Sequence, residues 1–343
     1  MKSNNILIWL PTPLGDAIMA TPALRELRSV FQQDRITFLG PEFTRQILSP
    51  SPFFDDWMLP QKGFFKNVHA IRQGRFGTCI LTKNSFGSAL TVWCSGIGRR
   101  VGYAREGRSW LLTDRLAPLR SEDGCFKPAP MVEYYLKLAK QFGAAAANKK
   151  PELSVDPNDI EAVADTFDFL KSLSGPLVIL VPGGAFGPSK LWPIDRYAAL
   201  ADRLSQQYRA TVVLSVAPVK EEIAIAESIC DMAVSKPVNL GLIPLTGGQL
   251  KALYSQAALV ITNDTGPRHI AIALNRPVVS LFGPNNPQWT QIEYDKEIQI
   301  IGKAPCVPCD KPVCRQNEHL CMESITVEQV LEKAVPFLES PRA

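Results

Sequence analysis

Twice along the chain, a short apolar run is followed by a loop containing glycine and proline and then by a helical periodicity. The first run covers residues 6–10, and its helical pattern extends over residues 17–31. The second run is Leu177–Val181, and the helix after it is predicted over Ile194–Tyr208. Further strands are predicted over residues 36–39, 211–216, 258–262 and 278–282. Strands that alternate with helices are typical of a parallel sheet covered on both faces, so we predict an α/β protein made of two doubly wound halves.

The length of the chain agrees with this division. Its 343 residues suffice for two domains of roughly 150 to 170 residues each. A polar stretch over residues 148–159 marks the edge of a linker. We therefore predict a first domain over residues 1–170, a second over 171–325, and an amphipathic helix and tail over 326–343. That last helix is predicted from Thr326 to Val335, ending or kinking at Pro336.

Composition excludes several classes of protein. Apolar residues make up 46% and charged residues 20%, which argues against a mainly disordered chain. No apolar run approaches the roughly 18 residues of a membrane span, and the short apolar run near the N-terminus does not predict a signal peptide. We therefore expect a cytoplasmic protein. Eight cysteines at this length do not indicate a disulfide scaffold.

The net charge of +4 hides a local excess of positive charge. Residues 62–127 contain twelve Lys and Arg against four acids, a balance of +8. The stretch is either a solvated basic face or a surface for an anionic partner. Its aromatic residues lack the spacing of an RNA-binding module. We therefore favour an anionic substrate or a membrane surface, with no nucleic acid as partner.

In doubly wound sheets, ligands bind beyond the carboxyl ends of the strands, so the strand-to-helix loops are where chemistry is expected. Two such halves facing each other would hold a ligand in the cleft between them. The first loop contains Gly15 and Asp16 at a predicted helix N-terminus, a position that suits an anion. Asp16 is either the N-cap of that helix or a general base, which the helix terminus would keep ionised.

The second loop, residues 182–193, contains three glycines and three prolines and therefore needs a defined backbone. Lys190 precedes a helix, where it is either a surface lysine or a cation that meets a phosphate. The loop lacks the ending of a Walker motif.

The third loop joins a buried strand to a helix that has Pro267 near its start. Free N–H groups around Thr265 and Gly266 suit a diphosphate. Asp264 either accepts a hydrogen bond from a sugar hydroxyl or holds the turn. His269 is either packed in the interior or a ligand.

Two motifs that bind nucleotides in other proteins are absent from the sequence. There is no Asp-x-Asp pair for a diphosphate-bound metal and no Gly-x-Gly-x-x-Gly after the first strand. We therefore expect a sugar nucleotide held without an obligatory metal, and at most a stimulatory divalent ion.

Half of the cysteines fall close together near the C-terminus, at positions 306, 309, 314 and 321. They are interpreted as a structural metal site, redox-labile thiols or packed side chains, and none of these makes them the active site.

The three loops together resemble the ADP-heptose:lipopolysaccharide heptosyltransferases of glycosyltransferase family 9, and most closely the heptosyltransferase II branch. The resemblance rests on residues 13–19, 187–193 and 263–271, with further support from 84–90, 100–103 and 306–322. It covers about residues 5 to 335. Leu191 and Arg268 stand where relatives more often have Arg and Met.

The resemblance implies a GT-B fold, with the acceptor on the first domain and the nucleotide on the second. It implies inverting transfer of L-glycero-D-manno-heptose from ADP-heptose to the lipopolysaccharide inner core, either Kdo-lipid A or a heptosylated form. The site would lie at the cytoplasmic face of the inner membrane, with the enzyme in peripheral contact. The alternatives are a GT-B transferase for another nucleotide sugar and a non-catalytic binder of sugar nucleotides or polyanions.

The resemblance also assigns roles to single residues. Asp16 is implied as the general base, and Lys190 as the cation that stabilises the leaving diphosphate. A glutamate is implied at the ribose, with Glu221 or Glu222 as the candidate. The remaining predicted donor contacts are Gly15, Ser189, Asp264, Thr265, Gly266 and His269. The predicted acceptor contacts are Arg72, Asn84, Arg100 and Arg105.

Overall fold

Two parallel six-stranded sheets form the centres of two units in the computed structural model, which describes residues 5–316 and 318–339. Helices connect successive strands in both units, so the predicted α/β class and doubly wound sheets are confirmed. Among the described residues, no helix is both long enough and apolar enough to cross a membrane.

The first sheet has the strand order β3-β2-β1-β4-β5-β6. Its strands are β1 Asn5–Trp9, β2 Arg35–Leu39, β3 Asp56–Met58, β4 Thr78–Leu81, β5 Arg99–Tyr103 and β6 Asp114–Leu116. The helices of this unit are α1 Leu14–Met19, α2 Thr21–Val30, α3 Glu42–Leu48, α4 Phe64–Gln73, α5 Phe86–Cys94 and α6 Met131–Lys140. The winding reverses between β1 and β4, which pair directly.

The helix predicted over residues 17–31 is in fact two helices, α1 and α2. Pro22 lies in the first turn of α2, where its missing N–H breaks no helical hydrogen bond. The Thr21 hydroxyl donates a hydrogen bond to the Ile18 carbonyl at 2.7 Å. Pro22 therefore marks the start of a second helix within the apolar pattern that predicted a single one.

The second sheet repeats this topology, with the order β12-β11-β10-β7-β8-β9. Its strands are β7 Leu177–Val181, β8 Thr211–Leu214, β9 Val238–Asn239, β10 Leu259–Asn263, β11 Val278–Phe282 and β12 Glu297–Ile301. The helices are α7 Pro157–Thr166, α8 Ile194–Tyr208, α9 Lys220–Met232, α10 Gly247–Ser255, α11 Gly266–Ala273, α12 Leu320–Glu323 and α13 Val327–Leu338. The winding reverses between β7 and β10. Every residue of β7, β10 and β11 is buried, as expected for strands covered on both faces.

The division between the units lies after Ser154, and the prediction near residue 170 was therefore too late. The polar stretch before it is held on α2, because Arg25 donates to the Asn148 carbonyl at 2.7 Å and the Glu152 N–H donates to the Thr21 hydroxyl at 3.1 Å. Helix α7 packs instead on α10 of the second unit. Residues 288–293, predicted in the second domain, belong to the first unit. The functions assigned to the two domains stay predictions.

The C-terminal helix α13 runs past Pro336 to Leu338, so the predicted end at that proline was wrong, while the predicted kink stays a prediction. Pro336 lies in the last turn, where its missing N–H costs one hydrogen bond at most. Phe337 and Leu338 pack against the core of the second unit and stabilise this last turn. The helix is therefore part of that core, not a separate appendage.

Candidate active site

The loops that follow the two strands at each reversal of winding carry most of the predicted chemistry. In the first unit these loops follow β1 and β4 and contain Asp16 and Asn84. In the second unit they follow β7 and β10 and contain Lys190 and Asp264. Because a crevice opens where the winding reverses, both pairs lie where this architecture binds ligands.

In the second unit, the turn after β10 leads directly into α11. Thr265 is the N-cap residue in an extended conformation, and its side chain makes no capping hydrogen bond to the helix. Pro267 occupies the first turn. The N-terminal N–H groups therefore donate no hydrogen bond to the cap side chain, which leaves them suited to an anion.

Lys190 reaches this same turn from the loop after β7. Its ammonium donates to the Asp264 carbonyl at 2.7 Å and lies 3.7 Å from the Asp264 carboxylate. The ring of Phe186 lies 4.6 Å from the ammonium. Only 7% of Lys190 is exposed, so it is not a surface lysine. Burial lowers the pKa of the ammonium, while the charge of Asp264 opposes that change.

Asp264 is shared between two cations, because Arg268 donates to its carboxylate at 3.1 Å from the next turn of the helix. Arg268 is fully buried and also forms a two-pronged ion pair with Glu297 on β12, at 2.6 and 2.9 Å. Burial would raise the pKa of Glu297, but hydrogen bonds and charge from Arg268 outweigh it, and the pKa is lowered. Asp264 therefore lies fixed between Lys190 and Arg268. Sequence reasoning missed Glu297, because nothing at the start of an edge strand signals a buried partner.

Two buried polar atoms beside this turn have no hydrogen-bond partner among the described residues, Asn263 Nδ2 and His269 Nδ1. Burial first, and then the charge of Arg268, lower the pKa of His269 to about 3. The imidazole is therefore neutral near pH 7. An unpaired buried group costs about 1–3 kcal/mol, so these two atoms are available to a bound ligand or to water.

The loop that carries Lys190 is held from outside by a later segment of the chain. Gly187 has φ of +144°, and a Cβ there would meet the Pro312 carbonyl oxygen at 2.4 Å. The Ser189 N–H donates to the same oxygen at 3.1 Å, and the Ser189 hydroxyl donates to the Lys311 carbonyl at 2.6 Å. Ser189 therefore braces the loop through its N–H and its hydroxyl, and its predicted donor contact stays a prediction.

Of the two candidate glutamates for the ribose, the structure favours Glu222. Glu221 is exposed, whereas the Glu222 carboxylate accepts hydrogen bonds from the Gly184 N–H at 3.2 Å and the Ala217 N–H at 2.8 Å. Glu222 therefore connects the loops after β7 and β8. Both loops lie at the carboxyl edge of the sheet, where a nucleotide would bind.

In the first unit, Asp16 lies in the first turn of α1 and is half-buried. The N-cap residue is Pro13, so the capping interpretation of Asp16 was wrong. Burial first, and then the charge of Asp16, raise the pKa of Tyr135 well above its ordinary value. Tyr135, on α6, was not anticipated, because it looks like any apolar position of an amphipathic helix.

Asn84 follows β4 and is fixed through its side-chain oxygen. Arg108 donates to that oxygen at 2.9 Å and the Tyr134 hydroxyl donates to it at 3.0 Å. Arg108 is fully buried and also donates to the carbonyls of Lys83 and Tyr103. With the oxygen occupied, the amide NH₂ of Asn84 is the group left to meet an acceptor.

The four predicted acceptor residues do not lie together. Arg105 follows β5 at the same edge as Asp16 and Asn84, with its guanidinium 3.9 Å from the Phe126 ring. Arg100 is the second residue of β5 and donates to the Leu111 carbonyl at 2.7 Å, while Arg72 lies in the last turn of α4 and donates to the Cys94 carbonyl at 2.7 Å. Strand starts and helix ends lie at the amino edge of such a sheet, so Arg72 and Arg100 are removed from the candidate site.

The four clustered cysteines form no site that the structure supports. All eight cysteines are free thiols. Over residues 5–316 and 318–339, no group of three or more His, Cys, Asp or Glu side chains could hold a metal ion. The segment that contains the cysteines does have a structural role, because the His319 ring hydrogen-bonds to the Ser189 carbonyl beside Lys190.

Two doubly wound units in one chain, each with candidate residues at its own reversal of winding, have the GT-B type of fold. The sequence profile of glycosyltransferase family 9 (heptosyltransferase) matches residues 64–319, and the chain belongs to this family. The resemblance drawn from the sequence is thereby confirmed.

Characterised relatives match nearly the whole chain. The lipopolysaccharide heptosyltransferase 2 of Escherichia coli strain K12 is 30% identical over 347 residues, which cover 96% of this chain and 97% of the relative. The solved structure of E. coli ADP-heptose lps heptosyltransferase II is 28% identical, with a TM-score of 0.80 over 97% of this chain and 98% of that one. A family 9 glycosyltransferase from Veillonella parvula, 20% identical, shares the fold with a TM-score of 0.81 over 98% of each chain.

Proposed function

We propose that this protein transfers L-glycero-D-manno-heptose from ADP-heptose to a lipopolysaccharide inner-core acceptor, with inversion at the anomeric carbon. Family membership and the similarity to enzymes named heptosyltransferase 2 support the reaction class. The observation that carries the proposal is the contact of Lys190 with the turn that begins α11, because it concentrates positive charge and free N–H groups at one point.

The donor would bind to the second unit at this point. Its diphosphate meets Lys190 and the N–H groups of Thr265 and Gly266, which stabilise the charge that develops as ADP leaves. Asp264 and His269 lie beside this turn. Asp264 would accept a hydrogen bond from a heptose hydroxyl, and His269 would contact the heptose or a phosphate. Glu222 would accept hydrogen bonds from the ribose hydroxyls.

The acceptor would bind to the first unit, with Asn84 and Arg105 as its contacts. Asp16 takes the proton of the attacking hydroxyl as that oxygen bonds to the anomeric carbon and the bond to ADP breaks. Tyr135 lies near enough for the charge of Asp16 to raise its pKa, so its hydroxyl stays protonated beside this base. Asp16 is an intrinsically weak base, so we expect proton removal to accompany bond formation.

We also propose that the reaction requires no metal, because Lys190 and the α11 terminus supply the positive charge that a diphosphate needs. A divalent ion would at most stimulate it. The site of action would be the cytoplasmic face of the inner membrane, in peripheral contact with it. The excess of basic residues over 62–127 supports that location.

Nucleotide competition tests the donor assignment. ADP should bind more tightly than UDP or GDP, and Lys190→Met should weaken ADP binding by roughly 10- to 100-fold, the effect of losing hydrogen bonds to a charged group. Lys171→Met, an exposed lysine of the same unit, is the control. Equal affinity for all three nucleotides would indicate a transferase for another nucleotide sugar.

Transfer assays test the acceptor. ADP-heptose is supplied with Kdo-lipid A or with its heptosylated form, with and without EDTA. Heptose on either acceptor supports the proposal and identifies which one is used. Binding of ADP-heptose without transfer or hydrolysis would point to a non-catalytic binder.

A further inference from the structure

Exposed aromatic side chains are concentrated on one surface of the first unit. Of the seven exposed Phe and Trp side chains among the described residues, five lie on α4, α5 and the short 3-10 helix Ser109–Leu111. We call these five the aromatic face: Phe64, Phe65, Phe86, Trp93 and Trp110. The other two are Phe43 and Phe186.

Three members of the aromatic face form one cluster of rings. Phe86 and Trp93 lie seven residues apart on α5, with Leu90 between them, and therefore share one side of the helix. Trp110 contacts both, with ring centroids 6.3 Å from Phe86 and 6.2 Å from Trp93. Even so, 49% of Trp93 and 63% of Trp110 remain exposed.

Helix α4 adds the rest of this surface. It packs on α5, and Phe65 at its start is 82% exposed and contacts Phe64 edge to face. Arg72 donates a hydrogen bond to the Cys94 carbonyl, which joins the C-terminal ends of α4 and α5. An exposed aromatic patch of this extent on a folded unit indicates a surface that meets a partner.

The charge of the same segment identifies what kind of partner. Residues 57–105, which include α4 and α5, contain eight Lys and Arg and no Asp or Glu. The basic residues stand at positions 62, 66, 72, 75, 83, 99, 100 and 105. Among them, Lys62 and Lys66 are exposed and flank Phe64 and Phe65 in the sequence. Exposed aromatic rings together with basic side chains match the interface of an anionic bilayer, where Trp occupies the headgroup level and Lys and Arg meet the phosphates.

We propose that the aromatic face docks the protein on an anionic lipid surface. This inference rests on the proposed function, since it names the membrane partner of an enzyme whose acceptor is lipid-linked. Phe86 follows Asn84 by only two residues, at the sheet edge that carries Asp16. A bilayer held against the aromatic face would therefore lie next to the predicted acceptor loop.

Charge argues against a second copy of the chain as the occupant. A twofold contact through this face would bring the exposed Lys62 and Lys66 of one copy toward the same basic segment of the other, which has no acid to offset them. An anionic bilayer has the opposite sign, and each basic residue near it contributes favourably.

Vesicle sedimentation of the whole protein tests the proposal. The wild type should bind vesicles of one part phosphatidylglycerol to two parts phosphatidylcholine and should not bind pure phosphatidylcholine. The double variant Trp93→Ala/Trp110→Ala should bind the anionic vesicles about tenfold more weakly, because each ring loses apolar area buried in the interface. Phe43→Ala, which removes an exposed aromatic of α3 outside the aromatic face, is the matched control and should bind as the wild type does.

Failure of this inference can be told apart from failure of the proposed function. Transfer of heptose to a deacylated, water-soluble acceptor needs no membrane, so wild type and double variant should show equal rates there. Lack of transfer by both, with vesicle binding intact, would overturn only the proposed function. The docking proposal is overturned if the wild type ignores anionic vesicles, if Phe43→Ala weakens binding as much as the double variant, or if the wild type sediments as a dimer that the double variant dissociates.

Discussion

Asp264 is the residue at which the donor site and the interior of the second unit meet. Its carbonyl and carboxylate face Lys190, and the carboxylate also accepts from Arg268, which is held in turn by Glu297. A buried chain of alternating charges such as this one holds each member in a single orientation. The orientation of the donor turn therefore depends on residues that no ligand touches.

Arg268→Met tests this coupling. It should lower the free energy of unfolding by about 3–5 kcal/mol, since it leaves the Glu297 carboxylate buried without its cation. The double variant Arg268→Met/Glu297→Gln should recover much of that loss, because no unpaired charge remains at position 297. Urea unfolding of both single variants and the double variant measures it. Strictly additive effects would show that the pair is not coupled.

His269 predicts a pH dependence of stability. Its pKa is lowered to about 3 in the folded protein, against an ordinary value of 6.5. Between these values the unfolded chain binds a proton that the folded chain does not, so acidification favours unfolding. Stability due to this group is complete above pH 6.5 and falls as the pH drops toward 3.

The measurement compares the wild type with His269→Gln in urea unfolding between pH 7 and 4. The wild type should lose on the order of 1 kcal/mol per pH unit more than the variant does. Parallel pH profiles would mean that His269 is protonated in the folded state.

At the scale of elements, the loop after β7 shows what the sequence could and could not predict. Its glycines and prolines correctly indicated a defined backbone, and Lys190 was correctly singled out as more than a surface residue. The brace from Lys311 and Pro312 could not be predicted, because it joins segments more than 120 residues apart through backbone carbonyls. Such contacts depend on the fold and leave no pattern in the local sequence.

Gly187→Ala tests that brace. The substitution places a Cβ at 2.4 Å from the Pro312 oxygen on a backbone with φ of +144°. We expect a loss of about 1–3 kcal/mol in unfolding free energy and weaker ADP binding, as the loop that carries Lys190 shifts. Gly87→Ala is the control, because a Cβ there meets nothing within 4 Å. Unchanged ADP affinity in Gly187→Ala would show that the brace does not position Lys190.

Strand ends were the most predictable part of the site. A buried apolar run followed by a polar turn locates the carboxyl edge of a sheet, and Asp16, Asn84, Lys190 and Asp264 all lie there. Arg72 and Arg100 were grouped with them as cations for an anionic acceptor. Charge does not tell the two edges of a sheet apart, whereas position within a strand or helix does.

At the scale of the whole molecule, the same strand order appears twice, and each copy carries its candidate residues at its own reversal of winding. The repeated topology was predictable from the two matching starts at residues 6–10 and 177–181. The division after Ser154 was not predictable. Hydrogen bonds hold the polar stretch before it on α2, and no apolar pattern in the sequence marks that contact. In both units, hydrogen bonds between residues far apart in the sequence fix features of the fold that hydrophobic periodicity does not reveal.

We assign proton removal to the first unit and leaving-group stabilisation to the second. A change to the base in the first unit should therefore alter the rate of transfer without altering ADP affinity. The most direct test measures heptose transfer from ADP-heptose, together with ADP affinity, for the wild type and Asp16→Asn, with Asp123→Asn as an exposed control in the same unit. Asp16→Asn should slow transfer by roughly 100- to 10,000-fold and leave the Kd for ADP within about twofold of the wild type. Transfer at a rate close to that of the wild type would show that the base lies elsewhere, and a matching loss of ADP affinity would show that the two units do not divide the work as proposed.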